Sequence, residues 1–327
     1  MTGAEREGLV LGIRKEITAV FSIAMPIGEN WTVSRCRYQG EGEHRGRLCI
    51  ATGIHGDEMM GQLVVYGVAQ RIMAHPEHLL GVVDVYPMLN PLGLDIGERM
   101  VPGSTKLDMN RAFPGAEDGT PMEAMCHHIM KDMAGADLVL DIHSSALHKS
   151  EMYEVRMNAH CADKLLPMAK ALCPELIWVY PDRRAYDAQL TSALCMAHTP
   201  ALILEINERN RHPQESAGKV VDGIFCKMKE MGIWAGEAAP IPDQEPPCVR
   251  TTEDICRVTC EKPGMYVPQY HLGGHIHKGE TLGVIIDALQ GEMLEEVCAP
   301  VSGLVFSQRG YSAVYPGTLI ARLCRKE

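Results

Sequence analysis

Aromatic residues are scarce in this chain: four Phe, three Trp and ten Tyr make up 5% of its 327 residues. Twenty methionines stand in reserve, and their flexible thioethers fill core gaps that rings fill elsewhere. Long apolar runs are also lacking. No stretch of about 18 apolar residues occurs, so a membrane-spanning helix is not expected. The opening Met1-Thr2-Gly3-Ala4-Glu5-Arg6-Glu7 has no basic stretch followed by an apolar core, and so does not read as a secretory signal. Positive charge is in deficit, with a formal net charge of −11. That argues against nucleic acid as a partner, because phosphate binding needs a basic face. The twelve cysteines include no Cys-x-x-Cys pair, and Cys49, Cys126, Cys173, Cys195 and Cys226 sit inside apolar runs. Buried free thiols in a reducing cytoplasm explain this better than a disulfide framework.

What remains is a soluble globular chain long enough for about two domains. Strands are expected at 47–53, 81–88, 136–142, 176–180 and 200–206, where Val, Ile and Leu run almost unbroken, as in strands buried on both faces. Helices are expected at 57–73, 121–134, 160–172, 185–198 and 214–232. This alternation predicts an α/β domain with a parallel or mixed sheet. The β-like stretches Ile17–Ile23 and Trp31–Tyr38 extend it. Pro240, Pro242, Pro246 and Pro247 mark a linker. The expected division is a hydrolase domain at 1–235, the linker at 236–247 and a β-rich domain at 248–327.

Chemistry concentrates at the ends of the apolar runs. Gly53-Ile54-His55-Gly56-Asp57-Glu58 follows Leu48–Ala51, and a His and a Glu three apart on a Gly-flanked turn can converge on one metal ion. A catalytic zinc site usually has three protein ligands. His143, closing Leu138-Val139-Leu140-Asp141-Ile142-His143, supplies the third. Strand ends of an α/β sheet share the rim where open sheets bind ligands. Two imidazoles and a carboxylate suit one Zn2+ per chain, with a coordination position left for water or substrate. Asp57 and Asp141 are candidates to orient these ligands, or to cap turns. The pairs His75/His78 and His127/His128, and the trio His271, His275 and His277, read as surface or packing histidines.

Asn90-Pro91 and Asp108-Met109-Asn110-Arg111-Ala112-Phe113-Pro114-Gly115 complete a series with His55-x-x-Glu58 and Asp141-x-His143. In this order the motifs resemble the succinylglutamate desuccinylase/aspartoacylase family of the zinc carboxypeptidase superfamily. The likeness covers roughly the first 235 residues, and the rest more faintly. It is similar to the bacterial subgroup with a lipoyl-like C-terminal domain, which includes N-acetyl-diaminobutyrate deacetylases. The resemblance implies a zinc-carboxypeptidase-like α/β/α domain with a mixed sheet, followed by a small all-β lipoyl/biotinyl-like domain. It further implies that Glu205, ending Ala201–Ile206, is the general base, with Glu208 as the nearby alternative. Asn207 stands where the family usually has Gly, and Asn tolerates the same left-handed backbone. Arg99 matches an oxyanion-stabilising Arg, and Asn110 and Arg111 a clamp for the substrate carboxylate. Arg156 and Tyr266 are further candidates to touch substrate, Tyr266 from the second domain.

In that second domain Lys278–Ile285, Ala299–Gly303 and Pro316–Ala321 resemble the hairpin ends of a lipoyl or biotinyl half-barrel. The hairpin that would carry the modified Lys reads Asp287-Ala288-Leu289-Gln290-Gly291, so no prosthetic group is expected. The expected activity is removal of a small acyl group from an N-acylated amino acid by a cytoplasmic zinc amidohydrolase. Alternatives are a zinc carboxypeptidase acting on peptides and a non-catalytic binding protein on a hydrolase scaffold. The expected partner is a small molecule, with neither nucleic acid nor membrane; a homo-oligomer is left open.

Overall fold

The computed structural model of the chain describes residues 6–10, 12–26, 28–41, 45–102, 108–145, 149–181, 188–206, 213–238 and 247–325. The first eleven strands are β1 (Arg6–Val10), β2 (Ile13–Ala24), β3 (Asn30–Gly40), β4 (Arg47–Thr52), β5 (Val82–Tyr86), β6 (Leu138–Ser144), β7 (Lys149–Glu151), β8 (Glu154–Asn158), β9 (Leu176–Tyr180), β10 (Ala201–Ile206) and β11 (Cys248–Thr251). Ten of them form one mixed sheet in the order β1-β2-β3-β5-β4-β6-β10-β8-β9-β11. Its centre, β5-β4-β6-β10, is parallel. These strands are the apolar runs of the sequence, and β5 and β6 are buried along their whole length.

Helices cover both faces, as strands buried on both sides require. The helices Met60–Ala74 and Pro213–Glu230 pack on one face through Val64, Val68, Ile72, Val220, Ile224 and Phe225. Pro121–Met133 and Leu190–Met196 close the other face through Met125, Cys126, Ile129, Met133, Leu190 and Leu194. Four methionines of Pro121–Met133 are buried there, which accounts for much of the Met-for-aromatic exchange in the composition. A buried charge, Asp84 on β5, is compensated in place: Arg37 donates to it at 2.7 and 2.8 Å and Arg47 at 2.7 Å.

The remaining strands, β12 (Ile255–Thr259), β13 (Gly264–Pro268), β14 (His275–Ile276), β15 (Thr281–Asp287), β16 (Glu292–Cys298), β17 (Gly303–Arg309), β18 (Ala313–Val314) and β19 (Leu319–Arg325), form two antiparallel sheets. They enclose their own core of Tyr266, Leu282, Ile285, Val305, Ile320 and Leu323. The mixed α/β domain with an all-β domain after it is thus the architecture expected.

The division between the two is less simple than a cut at 248. β11 pairs in parallel with β9 at the edge of the large sheet, and β7, from the middle of the first domain, pairs with β17 of the second. Each domain therefore lends a strand to the other. Of the proline-marked linker, residues 239–246 lie outside the described residues.

Candidate metal centre

The loop after β4 is fixed from below by Asn90 and from the side by a glycine. Leu89 N–H donates to Thr52 O at 3.0 Å and Asn90 N–H to Gly53 O at 2.7 Å, while the Asn90 side chain caps the short helix Pro91–Ile96 through Gly93 N–H at 3.0 Å. The Asn-Pro motif is thus a structural pin, with Asn90 fully buried. Gly56 lies so near the backbone of Gly93 and Glu98 that a Cβ there would meet them at 2.1 and 2.3 Å. Held this way, the loop delivers His55 and Glu58 to the carboxyl end of the parallel strands. Helix Met60–Ala74 starts after them, so Asp57 does not serve as its cap.

His143 arrives from β6, and Glu205 lies beside it in register on β10. The ligand atoms of His55, Glu58 and His143 lie within 4.8 Å of one another, all three residues buried. His55 Nδ1 is 2.8 Å from Glu58 Oε1, and His143 Nδ1 is 2.9 Å from Glu58 Oε2 and 3.1 Å from His55 Nδ1. The opposite ring nitrogens face carboxylates: His55 Nε2 meets Asp108 Oδ1 at 3.0 Å, and His143 Nε2 meets Asp141 Oδ2 at 3.0 Å. Both nitrogens of each ring thus face carboxylate oxygens, which only accept; with a cation between the two Nδ1 atoms and Glu58, the rings would keep their protons on Nε2, toward Asp108 and Asp141, and turn the Nδ1 lone pairs to the metal. Two ring nitrogens and two carboxylate oxygens crowd one point, an arrangement that a bound cation would satisfy and whose donor set fits zinc.

The electrostatics agree. Burial alone would disfavour a positive charge on His55 and His143, yet their proton affinities are raised, that of His55 by Glu58 and Asp108 and that of His143 by Asp141 and Glu58. Burial likewise opposes ionisation of Glu58, but the two histidines hold it well below the usual carboxylate range. The site is built to hold positive charge.

A cleft of about 420 Å³ opens from this point. Arg99 borders it, donating to Glu58 Oε1 at 2.8 Å and pairing with Asp108 Oδ2 at 3.3 Å. Asn110 is anchored because Leu190 N–H donates to its Oδ1 at 2.9 Å, which leaves Nδ2 3.5 Å from His143 Nε2. Arg111 donates to the Asn110 carbonyl at 2.6 Å and has no carboxylate partner among the described residues. Glu205 Oε1 is gripped by Arg156 Nη1 at 2.8 Å, and both line the cleft.

Of the residues singled out in sequence, His55, Glu58, His143, Arg99, Asn110, Arg111, Arg156 and Glu205 thus share one cleft. Tyr266 does not join them. It is buried in the core of the all-β domain and its hydroxyl donates to Leu282 O at 3.0 Å. Nor is Arg156 a free cation awaiting substrate, since its guanidinium is engaged by Glu151 and Glu154 as well as Glu205. Glu208 lies outside the described residues. The cleft also contains Lys149, Trp178, Tyr180 and Gln189, which carry no motif in the sequence. Asp108 stood inside a motif without a role; only its partner His55, 53 positions away, supplies one. His75, Glu77 and His78 gather at the surface, where His78 packs edge-on against Trp234.

The comparison with curated protein sequences finds no match. Among solved structures, a succinylglutamate desuccinylase from a Silicibacter species aligns with a TM-score of 0.79 at 17% identity, covering 100% of both chains. A succinylglutamate desuccinylase/aspartoacylase from Rhodobacter sphaeroides aligns at 0.78 and 20% identity, covering 99% of this chain and 95% of that one. The ectoine utilization protein EutE (DoeB) from Ruegeria pomeroyi, in its product-bound form, aligns at 0.78 and 19%, covering 100% of both. At such identities these likenesses speak to fold. The family model of the succinylglutamate desuccinylase/aspartoacylase catalytic domain matches residues 45–225, more than half of the chain and the whole of the cleft's motif series, and the chain belongs to that family.

Proposed function

We propose that the protein is a zinc-dependent amidohydrolase that removes a small acyl group from an N-acylated amino acid. The observation that carries this reading is the convergence of His55, Glu58 and His143 at one end of a cleft that also contains Glu205 and Arg111, the latter without a carboxylate partner among the described residues. Zn2+, held by the three ligands, would supply the Lewis acid and lower the pKa of a water. The chain's own residues account for the rest. Glu205, fixed by Arg156, takes the proton of the attacking water and returns it to the leaving amine. Arg99, at the rim of the centre, faces the amide oxygen as negative charge develops there. Arg111 offers a planar fork for the substrate carboxylate, with Asn110 Nδ2 beside it.

The test joins metal analysis to a deacylation screen. Purified protein should contain about one zinc per chain, as a single three-ligand site implies, and His55→Ala and His143→Ala should lose it. The screen should find an N-acyl amino acid among its best substrates, and Glu205→Gln should lower kcat by roughly a hundredfold or more with zinc retained. Full metal retention in both histidine variants would remove the site, and cleavage of peptides in preference to acyl amino acids would turn the reading to a carboxypeptidase.

A further inference from the structure

The carboxylate read as the base belongs to a buried charge network that reaches into the all-β domain. On β8, Glu154 and Arg156 lie two apart and so share one face of the sheet; Glu154 is the cross-strand partner of Glu205 on β10. Arg156 makes four contacts with three carboxylates. Nε donates to Glu154 Oε1 at 2.8 Å, Nη2 is shared between Glu154 and Glu151 Oε1, the latter at 3.3 Å, and Nη1 is given to Glu205 at 2.8 Å. Glu151 is fully buried on β7 and would by itself compete for that guanidinium.

What satisfies Glu151 comes from the other domain. β7, β17 and β19 lie side by side, and Glu151, Ser307 and Arg322 stand opposite one another in register across the three strands. Ser307 Oγ donates to Glu151 Oε1 at 3.1 Å, and Arg322 Nη1 at 2.6 Å, well inside the Arg156 distance. Both guanidiniums lie over the ring of Trp178, at 5.1 and 5.5 Å from its centroid, and the indole N–H is fixed by Thr252 Oγ1 at 3.1 Å. Burial opposes the charge on Glu151, yet Arg156, Lys149 and Arg322 together hold its pKa near 2, so it remains a full negative charge that needs a partner.

We propose that Arg322 and Glu151 are positioning residues for the hydrolytic base: Arg322, from the all-β domain, takes the charge of Glu151 and so leaves Arg156 free to fix Glu205 at the metal end of the cleft. This rests on the reading of Glu205 as the base. Without Arg322, a buried carboxylate loses its nearest partner; Lys149 Nζ stays 3.5 Å from Oε2, and the Arg156 guanidinium, 3.3 Å from Oε1, is the cation beside the oxygen that Arg322 vacates. Turning Arg156 toward Glu151 withdraws Nη1 from Glu205. The substrate-binding side, built on Arg111 and Asn110, is not part of this chain of contacts.

The experiment is charge compensation in the full-length, zinc-loaded protein. Arg322→Met should lower kcat about tenfold or more, the cost of a misplaced catalytic group, while KM and zinc content stay within about twofold of wild type. Glu151→Gln in the same chain removes the competing carboxylate, so the double variant should recover most of the lost kcat, and Arg322→Lys should recover part of it. A folded Arg322→Met with wild-type kcat overturns the proposal, as does a double variant no better than Arg322→Met. Should Arg322→Met fail to fold, the double variant, which buries no unpaired charge, decides alone: near-wild-type kcat supports the relay and a folded protein with low kcat overturns it. Glu205→Gln measured alongside separates the two readings, since full activity there removes the base assignment whatever Arg322 does.

Discussion

His55 and His143 each turn one ring nitrogen inward and have the other occupied by a carboxylate, so Asp108 and Asp141 decide which face of each ring a metal meets. Asp108→Asn keeps the shape but can direct an N–H at His55 Nε2 and favour the wrong tautomer. It should weaken zinc affinity by roughly 10–100-fold, read by competition with a chelating indicator. An unchanged affinity would mean that Asp108 serves only Arg99 and the turn at Asn110. Arg111 invites a different test. Lys keeps the charge but loses the fork, so Arg111→Lys should cost roughly 1–3 kcal/mol in kcat/KM for the best N-acyl amino acid, and much less for the same substrate converted to its amide. Equal losses on both would make Arg111 a support of its loop. At this scale the sequence is legible where residues of a motif series meet in the fold, as His55, Glu58 and His143 do. It is silent where the role depends on a distant partner. Trp178 and Lys149 belong to no motif. Tyr266 shows the converse: its aromatic ring and hydroxyl are suited to a binding site, but alternation along β13 turns it into the core of its own domain.

Strands and helices divide by the same logic. Every strand expected from an apolar run forms within a few residues of its predicted bounds, because burial on both faces selects that composition. β8 escapes notice because its charged Glu154 and Arg156 break the apolar pattern; Glu154 is buried because Arg156, two residues along the same face of the strand, compensates it. The short helix Pro91–Ile96 is likewise too brief to show a period and is visible in sequence only as its Asn-Pro cap. The loop after β4 carries a prediction of its own. Gly56 has no room for a methyl group against the Gly93 and Glu98 backbone, so Gly56→Ala must push the turn outward. We expect a loss of about 1–3 kcal/mol of stability, typical of overpacking, together with weakened zinc binding because His55 and Glu58 flank the displaced residue. Zinc titration and thermal melting of that variant measure both. Wild-type affinity in a destabilised protein would mean that the loop yields elsewhere.

For the molecule as a whole, the exchange of strands between the two domains predicts one cooperative unfolding event. β7 and β11 each hydrogen-bond into the other domain's sheet, and Trp178 packs edge-on against Phe306 across the boundary, so neither part can lose its structure without exposing the other's buried surface. Calorimetry should show a single transition; two well-separated transitions would mean that the domains are stable apart. Composition and a proline cluster suggest two independent units from sequence, and only pairings between distant segments contradict that independence. Those pairings also bear on synthesis. Glu151 meets Arg322 at a sequence separation of 171 residues. Domains emerging from a ribosome commonly fold in order as they appear, yet here the segment at 149–151 waits for residues 303–309 before its strand partner exists, and for Arg322 before Glu151 has its nearest cation. A nascent chain that has already released His55, Glu58, His143 and Glu205 still has an unfinished wall beside them, with Glu151 lacking Arg322, its nearest cationic partner. The fold is therefore timed by translation: the residues of the candidate metal centre come out early, and the wall of their cleft closes only after residues 303–325 have been made.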